Sequence, residues 1–187
     1  MKRLLAIILL CALYFTTQAE KLSEAIFSQP KSHPRLIVNQ NSLDSLAEAV
    51  KTNPQMARLN DYIIRSANKM LTQPVSVYQK QGKRLLTVSR QVLERVLYCS
   101  YSYLTTKDVK YAVRAEQEMI AAAEFNNWNP SHFLDVAEMT TALALGYDWL
   151  YDVWTDEQKD FLATCIYEKG LVPGYECYFG NWPQNNV

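Results

Sequence analysis

The stretch 133–152, FLDVAEMTTALALGYDWLYD, limits what this chain can fold into more than any other. Val136, Met139, Leu143, Tyr147, Leu150 and Trp154 recur at steps of three or four, the spacing of one face of an α-helix. A second apolar line, Phe133, Ala137, Ala144 and Tyr151, runs down another face and leaves only a thin polar stripe. A helix that is apolar around most of its girth has to be enclosed by neighbours. The rest of the chain must supply them.

It does so with further helices. Leu43, Leu46, Ala47 and Val50 predict a first helix over 43–50, capped by Asn41 or Ser42. Asn53-Pro54, a capping residue before a proline at the first helical position, opens a second that carries Leu59, Tyr62, Ile63, Ala67 and Met70. Residues 72–84 are polar, hold Pro74 and Gly82, and read as a loop. A third helix is expected over 86–104, and Thr106 or Asp108 caps a fourth that runs to about Phe125. The short joint makes these two an antiparallel hairpin. Ser131 is the expected cap of the apolar helix, and Thr155 with Gln158 forms a capping box for the next. Gly170 reads as a glycine stop. His33 to Val38 suits a short strand or a packed lead-in. With only five glycines among 187 residues, the fold class is all-α, a succession of helical hairpins without an exact repeat.

The N-terminus carries the marks of export. Lys2 and Arg3 precede the apolar run from Leu4 to Phe15, and Thr17-Gln18-Ala19 offers a small residue for cleavage. Residues 1–19 are therefore expected to be a signal peptide, 20–32 an irregular lead, and 33–187 the folded domain of a periplasmic or secreted protein. The apolar run is short for a membrane span, so no stable insertion is expected after cleavage. Leu10 before Cys11 is a poor match to a lipid-anchor site. Export permits disulfides, and Cys165 and Cys177 lie where they could pair, although three buried thiols including Cys99 serve equally well. The 19 basic and 19 acidic residues balance, which argues against nucleic acid as a partner. With two histidines and no CxxC spacing, neither a metal nor another cofactor is expected.

Two groups of residues could carry function. Asp135 and Glu138 share a face near the start of the apolar helix, where the dipole favours acids, and read as stabilising charges. Asp148 and Asp152 lie near its end, where the dipole opposes them, so an arginine, a hydroxyl or backbone donors should compensate. Used instead as glycosidic acids, such carboxylates would need partners from other elements. His33 reads as a local hydrogen-bonding residue at the domain's edge. The second group is amide-rich and aromatic: Asn126-Asn127-Trp128-Asn129, and Trp182 with Asn185 and Asn186. Flat rings beside amides suit sugars, whose apolar faces stack while their hydroxyls hydrogen-bond. Asn127, Trp128, Trp182, Asn185 and Asn186 are the candidate substrate-binding residues.

HPRLIV at 33–38, the stretch 133–152, GLVPGY at 170–175 and NWPQNNV at 181–187 together resemble the N-terminal helical domain of heparinase II/III-type polysaccharide lyases. The resemblance implies an (α/α) toroid, here incomplete, and cleavage of acidic, uronate-containing polysaccharides by β-elimination. It also implies a β-rich half that this sequence does not contain, so the chain is expected to be an N-terminal fragment. No residue matches the family's catalytic tyrosine or histidines; Tyr175 and Tyr178 come too early in the pattern. On this reading the chain alone is inert. The alternatives are a toroid glycoside hydrolase using Asp135 or Asp148, and a non-enzymatic helical glycan-binding or interaction module.

Overall fold

A computed structural model describes residues 32–180, and the account below concerns the unit that begins at His33. The expected signal peptide, Cys11, the lead before residue 32 and the candidates Trp182, Asn185 and Asn186 lie outside the described residues. The described residues are helical and contain no strand, so the chain is all-α. Seven α-helices follow in order: α1 Gln40–Thr52, α2 Pro54–Met70, α3 Leu86–Thr106, α4 Val109–Ala123, α5 Phe133–Trp149, α6 Asp156–Cys165 and α7 Val172–Tyr178. A π-helical segment, Ile166–Leu171, joins α6 to α7.

Caps set most of these boundaries. The Asn39 side chain accepts from Ser42 N, and Ser42 returns the bond to the Asn39 backbone, so α1 begins earlier than the Asn41 or Ser42 cap predicts. Asn53 caps α2 through Gln55 N, with Pro54 at the first helical position. Lys107, in the left-handed region at φ 57°, ends α3, and Asp108 caps α4 one residue later. Thr155 and Gln158 form the expected capping box on α6.

Two boundaries differ from expectation. His132 rather than Ser131 precedes α5, because the Ser131 hydroxyl donates to Asn129 Oδ1 instead. Gly170 does not stop a helix. It lies buried within the π-helical segment, where an added Cβ would come 2.5 Å from Thr140 Oγ1 and 3.2 Å from the Trp128 ring. Close helix approach, and not a turn, is what requires glycine there.

Helix α3 is the hub. It packs against α2, α4 and α5, and buries Val88, Val92, Val96, Cys99 and Leu104. Helix α5 lies against it, and Val136, Met139, Leu143 and, just past its end, Leu150 are buried as the main apolar line predicts. Gly146 lets the two approach: a Cβ there would meet Met119 Sδ at 2.4 Å and Val96 Cγ1 at 2.7 Å. The second apolar line departs from expectation. Ala137 is exposed and Phe133, Ala144 and Tyr151 are half-buried, because the π-helical segment and α7 cover that face only in part. The rest opens into an apolar groove of about 810 Å³, walled by Phe133, Gly174, Tyr178 and Phe179. Tyr178 is 88% and Phe179 70% exposed. Cys99, Cys165 and Cys177 are all free thiols, so the Cys165–Cys177 bridge is not formed. Cys165 points its thiol at Ala123 O and packs in the core.

Candidate functional site

Antiparallel succession brings three connections to one end of the bundle: the 71–85 loop before α3, the 124–132 loop before α5, and the chain leaving α7. The first two are knotted together. Asn129, left-handed at φ 57° as asparagine tolerates, donates through Nδ2 to Lys83 O and to Asp135 Oδ2. Its Oδ1 accepts from Lys80 Nζ at 3.2 Å and from Ser131 Oγ at 3.0 Å. Tyr78 adds a bond from its hydroxyl to Asn127 Oδ1 at 3.3 Å and sets its ring edge-on to Phe125. Lys169 reaches across from the π-helical segment and donates to the carbonyls of Ala123 and Phe125, occupying acceptors left open at the end of α4.

Asp135 holds this end together. Its carboxylate is fully buried and accepts from Leu85 N at 2.7 Å, from Asn129 Nδ2 at 2.7 Å and from His132 Nδ1 at 3.0 Å. A buried charge with three donors is satisfied, so Asp135 is a structural anion. Glu138 accepts from Ser89 Oγ at 2.7 Å and pairs with Arg90 at 3.2 Å. The Tyr78 hydroxyl is pushed above its ordinary pKa, first by burial and then by the charge of Asp135, which makes it a poor base near neutral pH.

The candidate sugar-binding residues fall differently. Asn127 is exposed at the loop end, with its Oδ1 shared between Asn129 N and the Tyr78 hydroxyl. Trp128 is 0% exposed, and its indole donates to Ala122 O at 3.0 Å. With both ring faces enclosed, Trp128 pins the loop to the core and offers no surface to a sugar.

At the opposite end Asp148, 2% exposed, fastens the lead-in segment. Its Oδ1 accepts from His33 Nδ1 at 2.7 Å, and its Oδ2 accepts from the backbone N–H groups of Arg35 and Leu36, each at 2.8 Å. The His33 ring stacks on Tyr151 at 3.7 Å, and Trp149 Nε1 donates back to Leu36 O. His33 is therefore no local residue but one half of a contact spanning 115 positions. Asp152, expected to act with Asp148, is exposed and takes no part.

Sequence reasoning missed the buried charge cluster on the inner faces of α3 and α4. Glu118, 0% exposed, lies between Arg114 Nη2 at 2.7 Å and Arg95 Nη1 at 3.2 Å, and accepts from Ser76 N at 3.1 Å. Arg114 and Glu118 stand four apart on one helix, a readable pair, but nothing in the sequence points to Arg95 as the third member. Among the described residues there is no group of three metal-ligating side chains, and no helix long and apolar enough to cross a membrane. Compared with protein-family models and with curated proteins, the chain matches none.

Proposed function

We propose that this chain is the helical part of an exported polysaccharide lyase that cleaves uronate-containing glycans, and that its hairpins form one arc of an (α/α) toroid. The observation that carries the reading is the Asp148 fastening. HPRLIV and the GYDWLYD end of the 133–152 stretch, two of the blocks on which the resemblance rests, pack as one unit through His33, Arg35 and Leu36. The partly covered Ala137–Ala144 face of α5 supports the arc, since the next hairpin of a ring would pack there.

In β-elimination a base takes the proton beside the uronate carboxylate, a second group neutralises that carboxylate, and the bond to the leaving oxygen breaks as the oxygen gains a proton. This chain contributes scaffold and glycan contacts to that reaction. Its amides and aromatic side chains gather at the loop end, while Tyr78, with its hydroxyl pushed upward, is no ready base. The hydrolase reading loses support because Asp135 and Asp148 both spend their oxygens on fixed internal donors. Purified chain incubated with polyuronate should bind it without raising the ultraviolet absorbance of unsaturated uronate. New absorbance would mean that this chain holds the base itself, and failure to bind any uronate polymer would remove the reading.

A further inference from the structure

A polar surface groove lies apart from the apolar groove along α5. It runs along the first turns of α3, between that helix and the extended segment 74–81. Two adjoining hollows of about 280 Å³ and 560 Å³ share Gln81 and Thr87 and make it continuous. Thr87, Gln91 and Arg95 form its floor, and Ser76, Gln79 and Gln81 form one wall. Lys83 and Arg84 stand at its mouth. None of the described residues lining it is acidic.

We propose that this groove binds a carboxylated sugar residue of an acidic glycan, an assignment that rests on the polysaccharide-lyase reading and gives it a location. Charge is the first argument. Lys83 and Arg84 are exposed cations without a salt-bridge partner in the described residues, in a chain whose formal net charge is zero. The Arg95–Glu118–Arg114 cluster behind the floor holds two guanidinium groups against one carboxylate, and the buried Asp135 carboxylate behind Leu85 offsets that excess, so the charge argument rests on the two exposed cations. Hydroxyl recognition is the second. Gln91 and Gln81 spend their Oε1 atoms on the Ser76 and Thr87 hydroxyls, which leaves their amide donors, with the whole amide of exposed Gln79, for the hydroxyls that a sugar has and an inorganic anion lacks. Val77, 65% exposed beside them, offers apolar contact for a sugar face.

Preorganisation is the third argument. Gln81 N bonds Arg84 O at 2.8 Å and Arg84 N bonds Gln81 O at 3.2 Å, closing a tight turn around Gly82 at φ 61°. Asn129 Nδ2 holds the carbonyl of Lys83, and Asp135 holds the N–H of Leu85. The two cations thus project from a turn fixed at three points, and ordering it costs a ligand little.

The test is calorimetric titration of the whole chain with hexagalacturonate, with its methyl ester, and with a sulfated neutral hexasaccharide. Lys83→Ala/Arg84→Ala should weaken hexagalacturonate binding about tenfold, two exposed charge contacts each being worth up to roughly fivefold. Gln91→Ala should weaken it further, and Lys107→Ala/Lys110→Ala at the other end of α3 and α4 should not. The ester should bind poorly. Equal binding of acid and ester overturns the proposal, as does preference for the sulfated sugar, or equal weakening by the Lys107/Lys110 pair. Binding that survives Lys83→Ala/Arg84→Ala overturns the groove alone; no binding of any acidic sugar overturns the groove and the reading beneath it.

Discussion

Replacing Asp148 tests how the lead-in segment is held. Its carboxylate takes three charge-assisted bonds, from His33 Nδ1 and from the N–H groups of Arg35 and Leu36. In Asp148→Asn the carbonyl oxygen can still face the two backbone donors, and the amide can donate to the neutral form of His33. All three contacts survive but lose their charge. Bonds to an ion contribute about 1.5–3 kcal/mol and neutral ones about 0.5–1.5 kcal/mol, so three bonds losing about 1–1.5 kcal/mol each should cost about 3–4.5 kcal/mol. Asp148→Ala leaves both backbone N–H groups without an acceptor, at about 1–3 kcal/mol each, and should cost more than Asn. Because residues 33–38 belong to no helix, part of the loss will appear as local opening rather than global unfolding. Amide hydrogen exchange at Arg35 and Leu36 reads the opening, and thermal unfolding should fall by about 2–4 °C per kcal/mol that reaches the whole unit. Unchanged protection of these two amides in Asp148→Ala would refute the fastening.

Gly146→Ala should destabilise by about 1–3 kcal/mol in chemical denaturation, because the added methyl meets Met119 and Val96 where α5 crosses α3. Glu118→Gln should cost about 3–5 kcal/mol, since it leaves Arg95 and Arg114 buried without their shared charge; pairing it with Arg95→Met should recover part of the loss. The folded chain should be alkylated at half-buried Cys177 well before Cys99, whose thiol burial pushes up to about 11, or Cys165, also raised by burial. A thiol raised on folding favours the folded state below its ordinary value of 9.0, so Cys99's contribution should fade as pH climbs from there toward about 11. Cys99→Ala should flatten that alkaline decline in denaturation midpoint.

Helices and most caps were legible because they are local: Asn53-Pro54, the Thr155–Gln158 box and the Val136–Leu150 line act within a few residues of themselves. What was not legible depends on distant partners. Asp135 reads as a first-turn charge, yet its donors come from Leu85 and Asn129 in separate connections. Trp128 has the composition of a sugar platform, and only the closeness of α4 and Gly170 shows that it is enclosed. Gly170 itself follows the rule for a helix stop, but a crossing helix at Thr140 claims the glycine for another reason. The cluster at Glu118 left only its i, i+4 half in the sequence.

The central claim is that the loop end of this helical stack holds an acidic glycan. Amide chemical-shift mapping with hexagalacturonate tests it most directly. The account predicts shifts concentrated in residues 74–87 and 126–132 and screened away by salt. Shifts centred on Ala137, Ala144 and Gly174 in the apolar groove, or on the Lys107 turn at the far end, would contradict it.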